Sequence, residues 1–175
     1  KNVGVFCASY NIIKGLRKYG IEKRLLRYKD NIFIEESDNN ASENALLLED
    51  FKSMATKSNK GGVLLGVCGG RNAEGEDFPG DYMNSVVIVG IPYMNPTPKV
   101  KAKISYYGSI FPSHGWDYAY LFPAMLRANQ ASGRPIRRLE DKGAIFLMDW
   151  RFFEQKKWIS SWILKNLNDV EDRDG

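Results

Sequence analysis

Val3–Ala8, VGVFCA, is a short and nearly continuous apolar run, the pattern of a β-strand covered on both faces. A helical pattern follows from Ile12 to Tyr19, so the chain opens on a βα unit. Working outward, Asn31–Glu35 (NIFIE) reads as a second strand, Val63–Val67 (VLLGV) as a third, Ser85–Ile91 (SVVIVGI) as a fourth and Ala144–Met148 (AIFLM) as a fifth. Between the second and third, Ala45, Leu48, Lys52 and Ala55 are spaced for a helix with a charged outer side, and Gly61-Gly62 ends it. After the break at Pro92–Pro98 (PYMNPTP), Val100, Ile104 and Tyr107 fall at helical spacing, although the alternation of Lys99, Lys101 and Lys103 would also suit a strand. A longer helical pattern from Tyr118 to Ala131 contains Pro123, which should kink or split it. Trp158, Trp162 and Ile163 read as a terminal helix before a polar tail. Strands alternating with helices predict an α/β domain with a mainly parallel sheet and helices on both faces.

At 175 residues, 43% hydrophobic and 26% charged, the chain has the size and composition of one soluble domain with a single core. Its net charge of +4 favours polyanions without proving contact with one. The charge is uneven: Lys1–Lys29 carries eight basic residues against Glu22 alone, whereas Asp30–Asp50 carries seven acids and no base. Cys7 and Cys68 sit in separate apolar runs, the wrong number and spacing for a disulfide framework, a zinc site or an iron–sulfur cluster. An intracellular, reducing setting is expected, cytoplasmic in a prokaryote and nuclear in a eukaryote. No run approaches the roughly 20 apolar residues of a membrane span, and no secretory signal is evident. Lys1 opens directly onto a strand-like run, so the chain is expected to be part of a longer protein.

Two stretches carry chemistry. Gln130, Gly133, Arg134 and Arg137 form Q-x-x-G-R-x-x-R (QASGRPIR) between a helix and a strand. Two arginines three apart after a glycine turn can face one side, and guanidinium meets the developing charge of a phosphate with a rigid fork of donors. The alternative is a basic surface turn. Gly69–Phe78 (GGRNAEGEDF) follows the third strand, where parallel sheets place ligands. Its glycines allow close backbone approach and Asp77 is a candidate partner of a ribose hydroxyl, yet the loop fits neither standard phosphate-binding pattern and an ordinary turn is the competing account. His114, the only histidine, has no companion to form a metal site. Trp116, Trp150, Trp158 and Trp162 offer stacking platforms or core packing, and the basic face of Lys14, Arg17 and Lys18 is either solvated or a minor DNA or partner contact.

Taken in order, VGVFCASY, NIFIEE, VLLGVCGGRNAEGEDF, VVIVGIPY, QASGRPIR and IFLMDWRF resemble the XPD family of superfamily-two, iron–sulfur DNA helicases from about Val3 to Leu167. EGEDF is similar to that family's E-G-I-D-F motif and QASGRPIR to its Q-x-x-G-R-A-I-R motif. The resemblance implies a RecA-like fold over residues 1–167, the second of two motor domains, with a polar tail at 168–175. It implies that Gln130, Arg134 and Arg137 face the triphosphate of ATP, the arginines as fingers, while Gly75 and Asp77 meet the nucleotide near its sugar and Mg2+. It further implies that Ser9, Tyr10, Arg71, Asn72 and Arg151 touch single-stranded or forked DNA. For Tyr10 a core position at the helix start is the alternative, and for Arg151 a solvated surface position.

The chain departs from the family pattern at Pro135 (usually alanine), Glu76 (usually isoleucine), Gly69 (commonly arginine) and Met83-Asn84 (commonly Gly-Arg). It lacks a Walker A lysine, a D-E-A-H magnesium site and four clustered cysteines, which in this family belong to the N-terminal motor half that binds ATP and holds the 4Fe-4S cluster. The expectation is therefore half of an ATP-driven 5′-to-3′ helicase of nucleotide excision repair, working with that N-terminal motor domain and with repair-complex subunits, and inactive alone. DinG-like and Fanconi-anaemia-type iron–sulfur helicases share these motifs. A non-catalytic nucleic-acid-binding module and an unrelated nucleotide enzyme using the Gly69-Gly70 loop are the competing classes.

Overall fold

The computed structural model describes residues 1–138 and 140–168. In chain order the elements are β1 (Val3–Cys7), α1 (Tyr10–Lys18), α2 (Ile21–Leu25), β2 (Asn31–Ile34), α3 (Ala41–Lys57), β3 (Gly62–Val67), α4 (Arg71–Glu74), β4 (Ser85–Val89), α5 (Pro98–Ile110), α6 (Phe122–Ser132), β5 (Ala144–Met148), α7 (Arg151–Glu154) and α8 (Ser161–Leu164). The expected tail at 168–175 lies, beyond Asn168, outside the described residues.

All five strands pair in parallel in the order β2-β3-β1-β4-β5. The step from β1 to β2 runs towards one edge of the sheet and the three later crossovers run towards the other. Because such crossovers are right-handed, α1 and α2 lie on one face and α3 and α6 on the opposite one. The side chains divide accordingly. Phe6, Leu64, Val86 and Ile88 face Leu48 and Phe51 of α3 and Ala124, Met125 and Ala128 of α6, forming the larger core. Cys7, Val63, Leu65 and Val67 face Ile13, with Ile12 and Leu16 packed alongside, in the smaller one.

The second face is covered only in part. Phe146 and Met148 on the edge strand β5 are 51% and 61% exposed. They continue the row of Val87 and Val89 through the β4–β5 register, and α1 lies over the other half of the sheet. The expected helical cover on both faces is thus complete for β3 and β1 and one-sided for β5.

Local chemistry explains the helix boundaries. α3 starts four residues before the periodic pattern because Asn40 and Glu43 form a capping box: Asn40 Oδ1 accepts from the Glu43 N–H at 3.0 Å, and the Asn40 N–H donates to Glu43 Oε2 at 2.8 Å. Thr97 caps α5 and Pro98 occupies its first turn, so Lys99, Lys101 and Lys103 lie on a helix and not on a strand. Pro123 sits in the first turn of α6, where its missing N–H costs nothing, and one π-helical turn, Asp117–Leu121, runs into it. The terminal pattern is less regular than expected: Trp158 closes a 3₁₀ turn, and only Ser161–Leu164 is α-helical.

Candidate nucleotide and strand interface

The C-terminal ends of the parallel strands carry the turns of interest. Gly69, at φ +79°, turns the chain sharply out of β3. Residues 71–74 form the single-turn α4, and the loop 75–78 then runs beside the end of α6.

There the QASGRPIR block meets the EGEDF loop. Asp77, Gln130, Gly133, Arg134 and Arg137, with Glu74 and Trp162, line an open cleft of about 530 Å³. The two arginines occupy different depths. Arg134 is buried, its Nε donates to the carbonyl of Ala73 at 2.5 Å, and its Nη1 donates to the carbonyl of Glu76. Burial, with the neighbouring Arg137 charge second, lowers the Arg134 pKa from its ordinary value. Arg137 lies outside it, with Nη2 3.2 Å from Asp77 Oδ1; Arg134 Nη1 is 3.6 Å from the same oxygen. The Asp77 side chain is itself 74% exposed, so this pair can open to an incoming anion at little cost. The turn that presents Arg137 is held by Asp141, whose Oδ2 accepts from the Arg137 and Arg138 N–H groups, both at 2.8 Å. Gln130 is exposed at the end of α6, and Gly75 closes α4 beside the cleft, its position within 3.0 Å of the Arg71 carbonyl for any added Cβ.

A second group gathers at the ends of β1, β2 and β3. Ser9 is exposed at the start of α1, its side chain making no capping bond. Tyr10 is half-buried and donates its hydroxyl to Glu35 Oε1 at 3.0 Å. Burial and that carboxylate push the tyrosine pKa up to about 12, so the hydroxyl keeps its proton and remains a donor. Arg71 is exposed, with Nη1 donating to the Asn39 carbonyl at 2.9 Å. Asn72, expected at the strand-facing surface, does not share it: it is fully buried, and its Oδ1 accepts from Asn44 Nδ2 of α3 at 2.8 Å. The side chain on the inner side of so short a helix has to face α3. Arg151 stands apart, paired side-on with Asp149 (Nε–Oδ1 2.9 Å, Nη2–Oδ2 2.5 Å) and 5.6 Å from the Tyr93 ring centre. Arg17, in the basic N-terminal face, is taken up by Glu22 at 2.6 Å and Glu36 at 2.7 Å.

Two features were not singled out in the sequence. Glu35, the last residue of NIFIE, is a carboxylate with only 3% exposure; an acid closing an apolar strand was the available signal. Tyr93 stacks on Tyr120 at 5.1 Å and both adjoin Trp116, giving an aromatic patch beside Arg151. Trp116, Trp150 and Trp162 are 44%, 72% and 43% exposed, so core packing does not account for them. Cys7 and Cys68 are buried free thiols, raised by burial to about 11 and about 12, and are poor nucleophiles or metal ligands. No helix among the described residues is long and apolar enough to cross a membrane.

With the parallel α/β sheet, the arginine-lined cleft and the separate set of turns at its C-terminal edge described, the helicase C-terminal domain family model is found to match residues 1–169. The chain belongs to that family. Its relatives are helicases of XPD and chl-1 type. The XPD helicase subunit of general transcription and DNA repair factor IIH from Dictyostelium discoideum is 33% identical over 171 residues, 93% of this chain and 21% of that protein. The ATP-dependent DNA helicase chl-1 of Caenorhabditis elegans is 30% identical over 168 residues, 92% and 19% respectively. A solved XPD helicase superposes with a TM-score of 0.68 and 25% identity over 97% of this chain and 28% of that one. The chain therefore spans about a fifth of the length of these curated relatives.

Proposed function

We propose that this chain is the second motor domain of an ATP-dependent 5′-to-3′ DNA helicase acting in repair of the nucleotide excision type, completing an ATP site whose phosphate-binding half lies on an N-terminal motor domain. The observation that supports this reading best is the cleft. It presents Gln130, Arg134 and Arg137 together, while no loop of the chain has the sequence that cradles a triphosphate. When ATP is clamped between the two domains, Arg137 leaves the exposed Asp77 carboxylate and reaches the terminal phosphate as a finger. Arg134 stands behind it and adds a fixed positive charge in a site of low dielectric. Asp77, once freed, and Gly75 meet the sugar and the Mg2+ that accompanies ATP. The cleft fits this role because Asp77, the ion-pair partner of Arg137 among the described residues, is exposed and exchangeable.

Ser9, Tyr10 and Arg71, with Arg151 beyond them, hold the backbone of single-stranded or forked DNA, a mode that positions a strand without reading its sequence. Asn72 supports that surface from below. An iron–sulfur cluster would be held outside this chain, whose two cysteines are buried. Alone, the domain has no turnover.

The test is Arg137→Ala in the protein that contains both motor domains. A finger is worth on the order of 10³-fold in turnover, so kcat should fall by roughly that factor with the melting temperature unchanged. Parent-like turnover in the variant would refute the assignment, as would robust ATP hydrolysis by the 175-residue chain alone.

A further inference from the structure

We infer that Glu35 is a positioning residue for strand binding: its buried carboxylate locks Tyr10 to the Gly69–Arg71 turn, so that the two turns meet a nucleic-acid backbone as one surface. The inference rests on the proposed grip of DNA by Ser9, Tyr10 and Arg71.

The sheet order brings the three strand ends together. β3 lies between β2 and β1, and the Glu35 N–H extends the ladder by donating to the Leu65 carbonyl at 2.8 Å. Glu35 therefore stands at the end of the edge strand β2, and its side chain reaches across the end of β3 to the turn after β1. Its Oε1 accepts the Tyr10 hydroxyl at 3.0 Å. The carboxylate fills space that two glycines leave open: a Cβ on Gly66 would stand 2.7 Å from Oε2, and one on Gly70 would stand 2.6 Å from Oε1. Both glycines belong to the VLLGVCGG stretch, so the strand and its turn are cut to receive this acid.

The arrangement is unfavourable for stability taken alone. Glu35 is 3% exposed, and its buried Oε2 finds no hydrogen-bond partner among the described residues. A buried and incompletely paired carboxylate is a net burden on folding, and burial accordingly raises its pKa, against the influence of the Tyr10 hydrogen bond and the Arg71 charge. An apolar side chain of similar volume would pack here without that penalty. What an apolar residue cannot do is accept from Tyr10 or attract Arg71. Those are two of the side chains proposed to meet the strand from the neighbouring turns, and Glu35 is placed to act on both.

The test uses the full-length protein and a fluorescent single-stranded oligonucleotide. Glu35→Leu keeps the volume and removes the acceptor, and Glu35→Gln keeps an acceptor oxygen for Tyr10. Losing one hydrogen bond to a charged group predicts that the Kd of Glu35→Leu rises roughly tenfold. Glu35→Gln should recover most of that loss. The DNA concentration giving half-maximal ATP turnover should rise in parallel in Glu35→Leu, with kcat at saturating DNA within about twofold of the parent. Tyr10→Phe should weaken binding less in the Glu35→Leu background than in the parent, because both changes break one shared contact. Parent-like DNA affinity in Glu35→Leu, or full additivity with Tyr10→Phe, overturns the inference. A parent that binds DNA without hydrolysing ATP overturns the motor reading instead and leaves the affinity test of Glu35 standing, and a parent that binds no DNA overturns both.

Discussion

Arg134→Ala is the substitution whose cost can be worked most directly from the geometry. The guanidinium is buried and donates to two carbonyls, Ala73 at 2.5 Å and Glu76, across the short helix α4. Truncation strands both acceptors. Ala73 is fully buried, so its carbonyl stays unpaired, whereas Glu76 is half-buried and water can replace the lost donor. A hydrogen bond to a charged group contributes about 1.5–3 kcal/mol. Part of the loss is returned because a cation next to Arg137 no longer has to be desolvated. The net expectation is a loss of about 2–3 kcal/mol. With an m-value of about 2 kcal/mol/M for a domain of this size, the urea midpoint of the 175-residue chain should drop by about 1 M. Arg137→Ala is the internal control: its ion pair joins side chains that are 36% and 74% exposed, and such pairs contribute about 0–1 kcal/mol. Equal midpoint shifts for the two variants, or a parent-like Arg134→Ala, would refute the claim that the two arginines act at different depths.

Two more outcomes follow from the same geometry. The Arg151 hydrogen bonds, chiefly, hold the Asp149 carboxyl below its usual value. Its pairing energy is therefore present above the unfolded value of about 3.9 and is lost as pH falls through the lower folded value. The stability gap between the parent and Asp149→Asn, measured by chemical denaturation, should be level above about pH 5 and shrink below about pH 4; a gap that widens on acidification would contradict the pairing. Gly66→Ala should destabilise by about 1–3 kcal/mol through its clash with Glu35. In the Glu35→Ala background, where the clashing oxygen is gone, that cost should fall by at least about 1 kcal/mol in a double-mutant cycle. Additive costs would show that the methyl group strains something other than the carboxylate.

The strands were legible because a parallel sheet writes itself as isolated apolar runs, and VGVFCA, VLLGV and SVVIVGI lie where those runs predict. Helix starts were less so: Asn40 and Glu43 extend α3 by a capping box that lies outside the apolar period. At the site, the spacing allowed Arg134 and Arg137 to face one side, with a basic surface turn as the alternative, and both line one cleft together with Gln130. Their depths were not readable. Whether an arginine reaches solvent depends on what packs over it, and Arg134 is bonded to Ala73 and Glu76, 61 and 58 residues away in sequence. Asn72 fails as a surface residue for the same kind of reason, since Asn44 of α3 offers it a buried partner. Glu35 looked like the polar end of a strand because its meaning comes from glycines on a neighbouring strand that alternation along one strand does not reveal.

These placements turn the segment 69–77 into a physical link between the two halves of the proposed function. At one end Gly70 packs against the Glu35 carboxylate and Arg71 is held to Asn39. In the middle Asn72 is bonded to α3. At the other end Arg134 grips Ala73 and Glu76, and Asp77 meets both arginines. We expect a segment fixed at so many points to move as a unit. If Arg137 leaves Asp77 for a phosphate, the carboxylate at the end of that segment loses its nearer partner, and the adjoining element is α4, whose other end carries Arg71, the residue proposed to meet the strand. Transmission of this kind requires a stiff connector with few free joints. Arg134, buried and bonded to backbone through Nε and Nη1, supplies that stiffness in a way an exposed arginine would not.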